Sequence, residues 1–136
     1  MSDFVLDASL ALRWFLEDEA DRAYALSVLT RLSGKSALVP ALWFYEVGNG
    51  LLMAVRRNRI SLEQMEGFLT RLKVLPIELA QQTQSEILRL PAVAQSWKLT
   101  NYDAAYVALC IQFTLPLATT DIDLRKAAAA AGVGML

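Results

Sequence analysis

The chain has 136 residues, one cysteine and no histidine, and its 13 basic and 14 acidic residues leave a formal charge of -1. This composition lacks the parts for Ser-His-Asp and Cys-His catalysis, histidine acid-base work and His/Cys zinc sites. It also lacks the basic surplus behind strong global attraction to nucleic acid. The length fits one domain with a real core, and the 55% hydrophobic content leaves apolar surface for a dimer interface or a partner groove.

In chain order, Met1-Ser2-Asp3 carries an acid and no basic run, unlike a secretory signal. Phe4-Val5-Leu6 reads as a short buried strand, closed by Asp7, and Ser9 is placed to cap a brief helix reaching Phe15. A second helix is expected over residues 20 to 32, with Gly34 ending it. Ala37-Leu38-Val39 reads as strand, and Pro40 sits where a long helix to Val55 would begin. Residues 36 to 55 are apolar enough to suggest a membrane span, but Pro40, Glu46, Gly48 and Asn49 interrupt them, and no span is expected.

Ser61-Leu62-Glu63-Gln64 is a capping-box pattern opening a helix to about Lys73, and Val74-Leu75-Pro76-Ile77 suggests an edge strand. Residues 81 to 97 read as a helix broken or kinked at Pro91. Thr100 and Asn101 cap a further helix to Gln112. That helix holds Cys110, which reads as a buried core thiol and suits a reducing cytoplasm. Residues 116 to 119 make a short strand, an alanine-rich helix runs to Ala131, and residues 133 to 136 form a terminal strand. Short apolar strands alternating with helices predict a three-layer α/β/α sandwich around a mostly parallel sheet, with sites beyond the carboxyl ends of its strands.

Four acids stand in apolar settings: Asp7 and Asp121 after strand segments, Glu46 inside Trp43-Phe44-Tyr45-Glu46-Val47, and Asp103 opening an apolar helix. A charged, unpaired carboxylate in such a place costs several kcal/mol, of the order quoted for buried ions, and a shared cation offsets that cost. Oxygen ligands suit a hard ion, Mg2+ or Mn2+. Each acid also has a structural reading. Asp7 and Asp121 fit helix caps, Asp103 fits a capping box with Thr100, and Glu46 fits a buried pair with an arginine. Ser9, Asn49, Thr119 and Thr120 are placed to orient ligands or water and fit equally well as caps or backbone partners, while Asp123 reads slightly better as a first-turn acid facing solvent than as a fifth ligand or an outer base. Arg13 is a candidate phosphate contact, Trp14 reads better as core, and Arg56, Arg57 and Arg59 fit a local basic patch or a helix-end charge cluster equally well.

Four segments in this order, residues 5 to 15, Glu46-Val47-Gly48-Asn49-Gly50-Leu51-Leu52, residues 99 to 109 and Leu117-Ala118-Thr119-Thr120-Asp121-Ile122-Asp123-Leu124, resemble the PIN-domain family and, within it, the VapC toxins of bacterial toxin-antitoxin pairs. The resemblance implies a Mg2+- or Mn2+-dependent ribonuclease whose acidic quartet falls on Asp7, Glu46, Asp103 and Asp121. Asp7 and Asp103 would be the leading direct ligands, with Glu46 and Asp121 acting partly through water. It further implies homodimerisation and a cognate VapB-type antitoxin whose C-terminal segment occupies an apolar groove and sends a basic side chain to the acidic pocket. Two other classes remain open: another Mg2+-dependent phosphoester hydrolase, disfavoured because Ser9 stands where a second aspartate is wanted, and a partner-binding module that does not cleave.

Overall fold

The computed structural model describes residues 1–17 and 20–136. Four short strands, β1 (Phe4–Leu6), β2 (Ala37–Val39), β3 (Ile77–Leu79) and β4 (Leu117–Ala118), form one sheet in the order β3-β2-β1-β4. Every pairing is parallel: Val5 lies opposite Leu38 on one side and Leu117 on the other, and Leu38 lies opposite Glu78. Parallel neighbours require crossovers, and the helices supply them: α1 (Ala8–Leu12), α2 (Arg22–Arg31), α3 (Ala41–Arg56), α4 (Leu62–Leu72), α5 (Gln84–Leu88), α6 (Leu90–Trp97), α7 (Asn101–Phe113) and α8 (Ile122–Ala130). The result is a parallel sheet flanked by helices, the α/β/α arrangement read from the alternation of elements.

Burial explains the strand sequences. Phe4, Val5, Leu6, Ala37, Val39, Leu117 and Ala118 are all fully buried, so these strands are continuous apolar runs, as expected when both sheet faces are covered. β3 is one of the two edge strands, and its Glu78 and Leu79 are exposed. It lies further along the chain than the Val74 to Ile77 segment expected, because Pro76 cannot donate a ladder bond; instead the Pro76 carbonyl accepts from Ala37 N–H at 3.0 Å.

Three other expectations are corrected. Residues 133 to 136 form no strand: they make a single bridge, Leu117 to Met135, beside β4. The helix expected over residues 81 to 97 begins later, at Gln84, where Thr83 caps α5 in a reciprocal box with Glu86; the break expected at Pro91 is present, with Pro91 in the first turn of α6. Ser9 is not a cap: it lies inside α1, whose N-cap position is Asp7. The Ser61–Gln64 capping box forms as read, as does the long helix after Pro40. Among the described residues no helix is long and apolar enough to cross a membrane.

Candidate functional site

Asp7, Glu46, Asp103 and Asp121 line one pocket of about 350 Å3, together with Ser9, Leu12, Asn49 and Gly50. Four separate elements supply the acids. Asp7 follows β1, Glu46 lies in the second turn of α3, Asp103 is in the first turn of α7, and Asp121 precedes α8 beyond β4. α1 and α3 approach closely enough for Asp7 and Glu46 to share the pocket because residue 50 is glycine. A Cβ there would stand 2.5 Å from Leu12 Cδ1.

Asp7 is 6% exposed, and its carboxylate makes no cap bond to α1. Its Oδ2 accepts instead from Ser9 Oγ and Thr119 Oγ1, both at 2.6 Å. Thr119 is fully buried and does a second task, accepting from Asp121 N–H at 3.1 Å, so one hydroxyl spaces two acids that follow neighbouring strands. Arg125 Nε donates to the Thr119 carbonyl at 2.8 Å, and its guanidinium lies 4.9 Å from the Tyr24 ring centre. That contact holds the strand end from behind by backbone bonding and cation–π attraction.

Asp121 is a cap as well as a pocket residue: Oδ1 accepts from Asp123 N–H at 2.9 Å and Leu124 N–H at 3.1 Å. Asp123 is exposed and contributes its backbone to that cap; it does not line the pocket. Asp103 departs from its capping-box reading. Thr100 Oγ1 accepts from Asp103 N–H at 3.1 Å, but the reciprocal bond is not made among the described residues, and the carboxyl group faces the pocket.

Glu46 is not paired with a buried arginine among the described residues. Its Oε1 accepts from Tyr106 Oη at 2.5 Å. Burial raises the Glu46 pKa, the Tyr106 bond lowers it, and the charges of Asp7 and Asp103 raise it further, for a net upward shift. Burial likewise raises Asp103, helped by Asp7 and Asp121. With Glu46 and Asp103 pushed upward by burial and by neighbouring acids, and no ion pair to any of the four among the described residues, the pocket is a negative cavity whose carboxylate donors are all oxygen. This donor chemistry fits a hard divalent ion. As they stand, no three His, Cys, Asp or Glu side chains among the described residues are arranged to hold one ion. Like charges favour such spreading, since repulsion rises steeply as carboxylates approach.

The remaining candidates divide. Asn49, one turn after Glu46, lines the pocket and is exposed. Thr120 does not line it, and its buried hydroxyl has no hydrogen-bond partner among the described residues. Arg13 has its Nε on the Ala20 carbonyl at 2.7 Å and an Nη on the Ser9 carbonyl at 2.8 Å, so its guanidinium braces the turn after α1. Trp14 is core, with Nε1 donating to the Ala25 carbonyl at 2.8 Å. Arg56 and Arg57 are exposed at the C-terminal end of α3, a favourable place for cations beside the helix dipole. A larger, mostly apolar cavity of about 510 Å3, between α5–α6 and α7, is lined by a single acid, Glu86, so its size does not make it the chemical site.

The profile of the PIN domain matches residues 4–130. The chain belongs to the PIN-domain family. A search of curated proteins finds no match. Three solved structures share the fold. PAE2754 from Pyrobaculum aerophilum is 23% identical, with a TM-score of 0.62 over 93% of this chain and 86% of that one. A toxin-antitoxin complex from Klebsiella pneumoniae contains a chain 18% identical, with a TM-score of 0.63 over 88% and 87%. FitAcB from Neisseria gonorrhoeae is 16% identical, with a TM-score of 0.66 over 98% and 96%. PIN domains are generally metal-dependent nucleases, and the acid-lined pocket occupies the carboxyl edge of this PIN sheet.

Sequence reasoning missed Tyr106. It was legible only as part of the apolar run after Asp103, yet two signals pointed to more: a buried tyrosine needs a hydroxyl partner, and position 106 is three residues after Asp103, on the same helix face. Burial and the adjacent Glu46 push its pKa far upward, so the phenol stays protonated and donates.

Proposed function

We propose that this PIN domain is a Mg2+- or Mn2+-dependent endoribonuclease of the VapC type, the toxin of a toxin-antitoxin pair, with Asp7, Glu46, Asp103 and Asp121 as its metal-binding and catalytic residues. The observation that carries the reading is the convergence of four carboxylates from four elements on one pocket. When bound, the divalent ion supplies Lewis-acid stabilisation of the charge that builds on a phosphodiester during in-line hydrolysis. The chain's residues do the rest. The four acids hold the ion, Ser9 and Thr119 fix the rotamer of Asp7, the α8 amides fix Asp121, and Asn49 stands at the rim where it can orient water or substrate.

A cognate VapB-type antitoxin is the proposed partner. Phe44 and Tyr45 of α3 are 46% and 78% exposed and leave apolar surface for a partner segment to cover, while the negative pocket suits a basic side chain of that partner. The structural neighbour from Klebsiella pneumoniae, a toxin-antitoxin complex, supports this reading. A homodimer and a cytoplasmic location complete the reading. The location is suggested by the cysteine usage: the chain has one cysteine, Cys110, and so no disulfide framework of its own.

Purified protein incubated with structured RNA and Mg2+ or Mn2+ is expected to cut it, and chelator to stop the reaction. Asp7→Asn is expected to abolish cleavage and to lose the metal-induced rise in Tm seen in wild type, with little change in the metal-free melt. Undiminished cleavage in chelator, or by Asp7→Asn, would sink the proposal.

A further inference from the structure

Glu46 has the most mobile side chain of the four acids, with three rotatable bonds between backbone and carboxylate, and it sits on a helix that contributes no other acid to the pocket. Something must fix where its oxygens point. The Tyr106 ring is 1% exposed and packs in the core, a task that phenylalanine would perform equally well. Its hydroxyl is the part that packing does not explain. That hydroxyl donates to Glu46 Oε1 at 2.5 Å, and the Ala8 backbone amide, next to Asp7, lies near the Tyr106 Oη. α7 thus presents Asp103 to the pocket and, one turn later, a donor that grips the acid of α3 at the start of α1.

We infer that Tyr106 is a positioning residue for the acidic pocket: its hydroxyl holds Glu46 through Oε1 and leaves Oε2, which has no hydrogen-bond partner among the described residues, as the oxygen offered to a cation. The inference rests on the metal-dependent reading of the pocket. A bond this short to a charged acceptor is among the stronger hydrogen bonds in proteins, and removing an outer partner of a metal-ligating group typically costs about 10- to 100-fold in metal affinity or activity. Tyr106 joins three elements, because its one oxygen touches groups of α1 and α3 while its ring is anchored in α7.

The test uses the full chain and Mn2+ alone as probe. Calorimetric titration of chelator-treated Tyr106→Phe is expected to show a Kd about 10- to 100-fold weaker than wild type. In steady state kcat falls while KM for RNA is retained. Adding Tyr106→Phe to Glu46→Gln is expected to weaken Mn2+ binding no further than Glu46→Gln alone, since the hydroxyl acts through that carboxylate. A purely structural tyrosine would lower the metal-free melt and leave the Mn2+ Kd within about twofold of wild type, and that result overturns the inference. So does an additive loss in the double variant. If Tyr106→Phe does not fold, a structure of the wild type with Mn2+ decides. Glu46 must ligate through one oxygen while the other stays on Tyr106, and a hydroxyl withdrawn from Glu46 refutes the role. Wild-type protein that binds no Mn2+ overturns the metal reading itself and this inference with it, an outcome distinct from normal binding by Tyr106→Phe.

Discussion

Replacing Thr119 by valine keeps shape and deletes only the hydroxyl that spaces Asp7 from Asp121. Thr119 is fully buried, so water cannot substitute for that hydroxyl without a cavity. Asp7 loses one of its two 2.6 Å bonds, and the Asp121 N–H loses its acceptor. A hydrogen bond to a charged acceptor is worth about 1.5–3 kcal/mol, and the valine methyl restores part of the packing, so the net loss is about 2 kcal/mol. At about 2.1 cal/mol/K per residue, the 136 residues give an unfolding entropy of about 0.29 kcal/mol/K, and Tm falls by about 7 °C. Thr119→Ser keeps the hydroxyl and loses one buried methyl, at about 0.8 kcal/mol or about 3 °C. The melts, run in chelator, are paired with RNA cleavage in Mn2+. Valine is expected to lose most activity because Asp7 is no longer held on both sides, and serine to keep most of it. A valine variant that melts with wild type, or a serine variant no more active than valine, would refute the argument that this hydroxyl sets the geometry of the site.

Metal-free protein is expected to lose stability as pH rises. Glu46 and Asp103 are raised in the fold from ordinary values of 4.5 and 3.8, so the folded state holds more protons than the unfolded state from those values upward through the shifted ones. Urea midpoints in chelator should therefore be higher near about pH 5 than near about pH 8, with Mn2+ removing the difference; a midpoint that climbs steadily with pH contradicts the repulsion argument. The two central glycines of α3 should respond oppositely. Gly48→Ala meets nothing within 4 Å and is expected to raise stability by about 0.5–1 kcal/mol through helix propensity. Gly50→Ala must displace Leu12 and is expected to cost about 1–3 kcal/mol before that propensity gain; equal melts for the two would show that α1 and α3 are not in tight contact at this point.

Much of the molecule was legible because its local signals and its packing agree. β1 and β2 are short apolar runs buried on both faces, Pro40 opens α3, and Ser61 and Gln64 form their capping box. The carboxyl-edge rule then placed Asp7 and Asp121 together, and all four acids reached one pocket. What the sequence hid depends on long-range partners. Edge strand β3 is exposed at Glu78 and Leu79, so its pattern was too weak to fix its register against the more apolar segment beside Pro76. Val133 to Leu136 has the composition of a strand, but only one bridge to Leu117 forms. Asp121 could be read as a cap or a site residue, and in the structure it both caps α8 and lines the pocket. Tyr106 hid among core residues because its ring belongs to the core and only its hydroxyl belongs to the site.

The bond from Thr119 to Asp7 spans 112 positions of the chain, and that from Tyr106 to Glu46 spans 60. β1, followed by Asp7, cannot complete its pairing until β4 exists, so the centre of the sheet is finished only by the last of its four strands in chain order. Contacts of such separation fold slowly, because loop-closure entropy is spent before they form. Translation at about 5–20 residues per second leaves several seconds between the emergence of Asp7 and that of Asp121. During that interval a growing chain on the ribosome carries at most three of the four acids, with Asp7 still lacking Thr119, so the complete pocket cannot form beside the RNA of the translating machinery until nearly the whole domain has been made.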